Sequence, residues 1–96
     1  MSNGFRVEFG VAYDWNKVAV IESRPEVDYF HANAKLHDFV RKLPVLVSYK
    51  ASRLLFDKYS QYFTPPEWTV RIVDETTRDT VAERFYTGEL EERIGF

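Results

Sequence analysis

The chain has 96 residues and a mass of 11.4 kDa, which is the size of one small domain. It is 45% hydrophobic and 29% charged, a composition typical of folded globular proteins and not of disordered ones. Thirteen basic and fifteen acidic residues give a formal net charge of -2, which argues against a protein whose whole surface binds nucleic acid. The absence of cysteine excludes disulfides, thiolate metal ligands and cysteine nucleophiles.

No part of the sequence has the pattern of a signal peptide or a membrane span. The first residues lack a basic region followed by an apolar stretch. No apolar run approaches the roughly 18 residues that a membrane span needs. We therefore expect a cytoplasmic protein that does not enter a membrane.

Residues 5–22 have the pattern of a β-hairpin. From Phe5 to Tyr13, apolar and aromatic residues occupy every second position, which places the large side chains on one face of a strand. Asp14–Lys17 has a turn-like composition, and Val18–Glu22 is predicted to be the return strand.

Residues 26–63 are predicted to form a helical segment that bends at Pro44. Ser23–Glu26 has the spacing of a capping box at a helix start, and Asp28 is an alternative cap. Apolar residues then follow at helical spacing and predict the inner face of the first helix: Tyr29, Ala32, Leu36, Phe39, Val40 and Leu43.

Pro44 is predicted to end this helix near Leu43, because the residue before a proline disfavours the helical conformation. A second helix would then cover residues 45–63; one long helix kinked at Pro44 is the alternative. The predicted inner face of the second helix consists of Val47, Ala51, Leu54, Leu55, Tyr59 and Tyr62.

Residues 68–87 are predicted to form a second hairpin. Thr64–Glu67 contains two prolines that stop the helix, and apolar residues alternate from Trp68 to Ile72. The tail, residues 88–96, has only a marginal helical pattern.

The element order ββ-αα-ββ predicts an α+β fold in a single domain covering residues 1–96. A lone hairpin is only marginally stable, so we expect one antiparallel sheet of about four strands with both helices packed on one face. The strand order is not determined by the sequence.

No catalytic or cofactor motif is present. His31 and His37 would lie on different faces of one helix, and neither belongs to a known metal-binding spacing. Nucleotide-binding glycine loops and nucleophile motifs are also absent. We therefore expect a non-enzymatic protein with no catalytic residue, cofactor or metal site, although a site assembled from distant residues is left open.

Nucleic-acid binding is the less favoured of two interaction hypotheses. Residues 26–64 have six basic and four acidic groups, whereas residues 65–96 have four basic and eight acidic groups. The helical segment is therefore the basic part of the chain and could contact the phosphates of RNA or single-stranded DNA. The residues that would do so are Lys35, Arg41, Lys42, Lys50 and Arg53.

Protein binding is the favoured hypothesis, because 17% of the residues are aromatic and a small core cannot hold all of them. The aromatic residues with no place in the predicted core are Trp15, Phe30, Tyr49, Phe56, Tyr62, Phe63, Tyr86 and Phe96. The densest predicted binding patch consists of Arg53, Tyr59, Tyr62, Phe63 and Trp68. We expect an adaptor, regulator or inhibitor that binds another protein or forms a homodimer, of the kind common among virus- and mobile-element-encoded accessory proteins.

Overall fold

The computed structural model describes residues 4–14, 17–61 and 66–86. The elements are β1 (Phe5–Tyr13), β2 (Lys17–Glu26), α1 (Tyr29–Leu46), α2 (Lys50–Tyr59), β3 (Glu67–Asp74) and β4 (Thr80–Tyr86). The four strands form one antiparallel sheet in the order β2-β1-β3-β4, so the predicted α+β architecture is confirmed. The two strands that start the hairpins, β1 and β3, are neighbours at the centre of the sheet.

The core lies between the helices and one face of the sheet. Alternate residues of β1 are opposite alternate residues of β3, and all are buried: Val7 with Ile72, Phe9 with Val70, and Val11 with Trp68. The helices cover this face mainly with one side of α1, namely Ala32, Leu36, Phe39 and Leu43. The period-two pattern of β1 therefore predicted the buried face of its strand correctly.

The start of the first helix differs from the capping-box prediction. Ser23–Glu26 belongs to β2, and α1 begins only at Tyr29. Asp28 is the cap, because its side-chain oxygen accepts a hydrogen bond of 2.8 Å from the backbone N–H of His31. The alternative cap was therefore the correct one.

The edge strand β2 is interrupted by a bulge at Ile21. Phe9 pairs with Glu22 and Gly10 pairs with Val20, which leaves Ile21 without a partner on β1. A Cβ atom at Gly10 would overlap the carbonyl oxygen of Ala19. Glycine is therefore required where β1 passes the bulge. Pro25 also lies in this strand, where it lacks a backbone donor.

The prediction that Pro44 separates two helices was wrong in position. Pro44 lies inside α1, which continues to Leu46, and the second helix begins only at Lys50. Pro44 has no N–H to donate to the carbonyl oxygen of Val40, but only Val45 and Leu46 of α1 follow it, so the helix loses one hydrogen bond close to its end.

The predicted inner face of the second helix was correct in part, because Val47, Leu55 and Tyr59 pack against the core. Ser52 is buried and Leu55, Phe56 and Tyr59 are half-buried, whereas the predicted inner residues Ala51 and Leu54 are exposed. Each residue of a helix turns by about 100°. Ala51 and Leu54 are therefore turned away from the side of α2 that carries Ser52, Phe56 and Tyr59.

The second hairpin turns at Asp74–Asp79. The Asp74 carboxylate accepts hydrogen bonds from the backbone N–H groups of Thr76 and Thr77 at 2.8 and 3.3 Å. Arg78 has a φ of 66°, a left-handed conformation that reverses the chain. The predicted tail, residues 88–96, lies outside the described residues.

The face of the sheet opposite the helices is organised by ion pairs. An Arg71 nitrogen lies 2.9 Å from a Glu8 oxygen, and Arg6 lies 3.2 Å from Glu75. Glu83 is directly across the strands from Arg71. Burial raises the pKa of the Glu83 carboxyl above its ordinary value, although Arg71 opposes the shift.

We expect Glu83→Gln to stabilise the protein at pH 7 and to lose this advantage near pH 4. A raised pKa means that the folded chain holds the Glu83 proton more tightly than the unfolded chain, so wild-type stability falls as the pH rises through that pKa. Thermal unfolding of both proteins at the two pH values measures the difference. Glu22→Gln, on the other face of the sheet, is the control. A loss of stability in Glu83→Gln at pH 7 would show that the attraction to Arg71 outweighs the cost of burial.

Candidate interaction surface

Two members of the binding patch predicted around Trp68, namely Trp68 and Tyr59, are covered by other aromatic rings. Trp68 is only 2% exposed and stacks between Phe9 and Phe56, with ring centroids 5.9 and 4.9 Å away. Tyr59 is half-buried and stacks on Tyr13 at 4.1 Å. These rings belong to the end of the core, where aromatic stacking is favourable. Trp68 is therefore a core residue, and the binding role predicted for this set of residues stays a prediction.

The structure describes only one of the three remaining members of that patch. Tyr62 and Phe63 lie outside the described residues. Arg53 is exposed on α2. Arg53 also belongs to the predicted basic set, so it connects the two sequence hypotheses to one region of the surface.

Three of the five predicted basic residues surround Asp38 on α1. Nitrogen atoms of Arg41, Lys42 and Lys35 lie 3.0, 3.1 and 3.9 Å from the Asp38 carboxylate. These residues are three or four positions from Asp38, which is the spacing of neighbours on a helix. The hydrogen bonds from Lys42 and Arg41 hold the pKa of the Asp38 carboxyl below its ordinary value. Part of the positive charge of α1 is therefore compensated within the helix.

Lys50 and Arg53 form the uncompensated part of the basic set. Both are exposed on α2, and neither has an ion pair with any residue in the described ranges. Lys58, one turn further on, has its ammonium 5.7 Å from the centre of the Tyr59 ring. The first turns of α2 thus present two free cations to solvent.

Large apolar side chains are exposed in the same stretch of the chain as these cations. Val45 and Tyr49 are each 57% exposed and Leu54 is 61% exposed. Tyr49 lies four residues before Arg53, and Lys50 lies four residues before Leu54, so an apolar and a basic side chain are neighbours in both pairs. We refer to this region as the α1–α2 surface; it consists of Arg41, Lys42, Val45, Tyr49, Lys50, Arg53 and Leu54.

The short turn between the helices positions this surface. The Ser48 hydroxyl donates a hydrogen bond of 2.7 Å to the carbonyl oxygen of Val45, and the Tyr49 N–H donates one of 3.3 Å to Leu46. The Arg53 N–H then bonds to the Tyr49 carbonyl oxygen at 3.0 Å, which begins the next helix. The chain ends one helix and starts another within three residues, so side chains from both helices reach solvent together.

A groove lies beside the α1–α2 surface, between the edge strand β2 and α1. Tyr49 and Lys42 line its end, with Phe39 and Leu46 as its apolar part. Its volume is about 230 Å³, and Glu22 and Arg24 of β2 form the opposite wall. The groove therefore adds apolar and charged lining to the same side of the molecule.

The sequence analysis placed Leu54 on an inner face, because apolar residues at helical spacing are expected to face a core, and it assigned Val45 to neither face. Tyr49 was foreseen among the aromatic residues with no place in the core. Phe30, from the same prediction, is 77% exposed at the other end of α1. Phe56 and Tyr86 are instead covered, since Phe56 packs on Trp68 and Tyr86 is buried.

His31 takes part in the cap at the start of α1. The Nδ1 atom of His31 lies 2.8 Å from the Asp28 carboxylate, where it supports the helix cap. This contact and the backbone N–H of His31 lower the pKa of the Asp28 carboxyl. In the ranges that the structure describes, no group of three metal-ligating side chains occurs.

Among the described helices, none has the combination of length and apolar character required to cross a bilayer. Comparison of the chain with protein-family models, with curated proteins and with solved structures gave no significant match.

Proposed function

We propose that this protein is a small non-enzymatic interaction domain that binds another protein through the α1–α2 surface. One observation supports the proposal most directly: Val45, Tyr49 and Leu54 are each more than half exposed within one short stretch of the chain. Exposed apolar side chains that occur together, with cations at their edge, are typical of protein-binding surfaces.

Arg and Tyr also support a protein ligand. These two residue types are enriched among the side chains that contribute most to binding, because they bury a large area and keep a polar group for hydrogen bonding. Tyr49 and Arg53 are four residues apart on the α1–α2 surface, so both can contact one partner segment. Adaptor, regulator and inhibitor are the roles that such a domain serves.

The test compares two exposed aromatic residues of the helical layer. We expect Tyr49→Ser to weaken binding by about tenfold, which corresponds to about 1.4 kcal/mol, and to leave the melting temperature within about 2 °C of wild type. A binding protein is first captured from a lysate of the native cells with the full chain and identified. Its affinity for each purified variant is then measured by calorimetry.

Phe30→Ser is the matched control, since Phe30 is an exposed aromatic residue at the far end of α1. It should retain wild-type affinity. Equal loss of affinity in both variants would place binding elsewhere than the α1–α2 surface. Full affinity in Tyr49→Ser and in Leu54→Ser would contradict the proposal.

Binding of RNA or single-stranded DNA is the second candidate, favoured by the exposure of Arg41, Lys42, Lys50 and Arg53. Two observations make it the weaker one. The Asp38 carboxylate lies among the cations of α1 and repels phosphate, and only Tyr49 on this surface offers a ring for stacking on a base. Affinity for an oligonucleotide that falls steeply with salt, and that is lost in Arg53→Glu, would favour nucleic acid.

A further inference from the structure

We infer that the partner of the α1–α2 surface is an acidic amphipathic helix of another protein. This inference rests on the proposed function and specifies the chemistry of the ligand at the same site. Its basis is that two free cations, Lys50 and Arg53, and two exposed apolar side chains, Tyr49 and Leu54, occur together at the start of α2, so a ligand that contacts this region meets both kinds of side chain.

The charge of the helical layer favours an anionic partner. Between Tyr29 and Tyr59 the chain has six cations and two carboxylates, Asp38 and Asp57, which gives this segment a net charge of +4. Lys50 and Arg53 have no ion-pair partner among residues 4–14, 17–61 and 66–86. Carboxylates on a partner would therefore find two unoccupied cations at the centre of the surface.

The apolar residues require that the anionic partner also has an apolar side. Leu54 and Val45 offer no hydrogen-bonding group and no ring, so they add nothing to binding of a phosphate or a base. They add to affinity only when aliphatic or aromatic side chains remove them from water. A purely polyanionic ligand would leave both residues exposed.

The spacing of the surface fits a helix better than an extended strand. Lys50 and Leu54 form one i, i+4 row on α2, and Tyr49 and Arg53 form a second row beside it. Parallel rows of this kind accept the side-chain ridge of another helix. A partner with apolar residues at positions i, i+4 and i+7 and with glutamates on either side matches the rows in both shape and charge.

A charge exchange tests the inference in the full chain. The probe is a labelled synthetic peptide of about 18 residues with leucines on one side, glutamates flanking them and alanines at the other positions, which favour a helix in water. Fluorescence anisotropy measures its binding to the wild type. We expect the double variant Lys50→Glu and Arg53→Glu to bind it about tenfold more weakly or worse. The same variant should bind a peptide in which lysines replace the glutamates.

Two further probes separate the apolar contribution from the ionic one. A peptide with serines in place of leucines keeps its charge and should bind the wild type about tenfold more weakly. Leu54→Ser should reduce the affinity of the parent peptide and leave that of the serine peptide unchanged. Circular dichroism confirms that each variant is folded.

The outcomes distinguish failure of the inference from failure of the proposed function. Equal binding of the leucine and serine peptides would overturn the amphipathic helix and indicate a simple polyanion site. Stronger binding to phosphatidylserine vesicles than to the peptide would replace the helix with a membrane surface. If no peptide binds while the captured protein still depends on Tyr49, the function stands and the acidic helix is wrong.

Discussion

Replacing Gly10 with alanine is expected to lower the free energy of unfolding by about 2–3 kcal/mol. The added Cβ would overlap the Ala19 carbonyl oxygen and lie 3.0 Å from the Cα of Val20. Both are backbone atoms, which cannot rotate away as a side chain would. β1 is hydrogen-bonded to a strand on each side, so it cannot move away either. Urea unfolding followed by circular dichroism measures the loss.

Gly4→Ala is the matched control, because its added carbon would lie 3.3 Å from the Val27 carbonyl oxygen, a tight contact without overlap. Alanine also restricts the unfolded chain more than glycine does, which offsets part of the cost at either position by about 0.4–1 kcal/mol. The control should therefore change stability much less. A Gly10→Ala protein as stable as the wild type would contradict the described bulge in β2.

Replacing Trp68 with alanine is expected to cost about 4 kcal/mol, the largest effect that we predict. The change removes a buried ring that stacks on both Phe9 and Phe56. A domain of this size has a total stability on the order of 5–10 kcal/mol, so little would remain. Thermal unfolding followed by circular dichroism measures the loss, with Trp68→Phe, which keeps an aromatic ring, as an intermediate case.

The matched surface control for this experiment is Leu54→Ala. Leu54 is 61% exposed, and truncating it should change stability by less than about 0.5 kcal/mol. If Trp68→Ala instead unfolds at the same temperature as the wild type and only partner binding is lost, Trp68 is a binding residue and not a core residue. The pair of variants thus separates the core from the surface directly.

The fold could be predicted from the sequence where side chains alternate in polarity with a clear period. In β1, apolar residues at every second position gave both the strand and its buried face. The last four residues of β2, 23–26, were missed because Arg24 and Glu26, which face the same side as Glu22, are charged like it. A strand without an apolar face has no such alternation, and Ser23–Glu26 also matches a helix cap.

The interaction surface could be predicted only in part, because it depends on where the second helix begins. The basic residues Lys50 and Arg53 were identified from charge alone, which needs no knowledge of the helix face. Leu54 was placed inside because it is apolar and lies at helical spacing from the other predicted inner residues, in a helix taken to start after Pro44. The three-residue turn that ends before Lys50 is not marked by glycine or proline, so nothing in the local sequence indicated the true start.

The interrupted edge of β2 has a consequence for how this chain behaves when crowded. An incoming strand needs a regular series of donors and acceptors, but here Pro25 offers no donor and the bulge at Ile21 breaks the spacing. Pairing of the β2 edge with a strand of another chain is therefore disfavoured, even at the high local concentrations of newly made chains. Selection can then retain exposed apolar residues on the helical side of the protein, because the backbone of β2 itself hinders the growth of fibres from this edge.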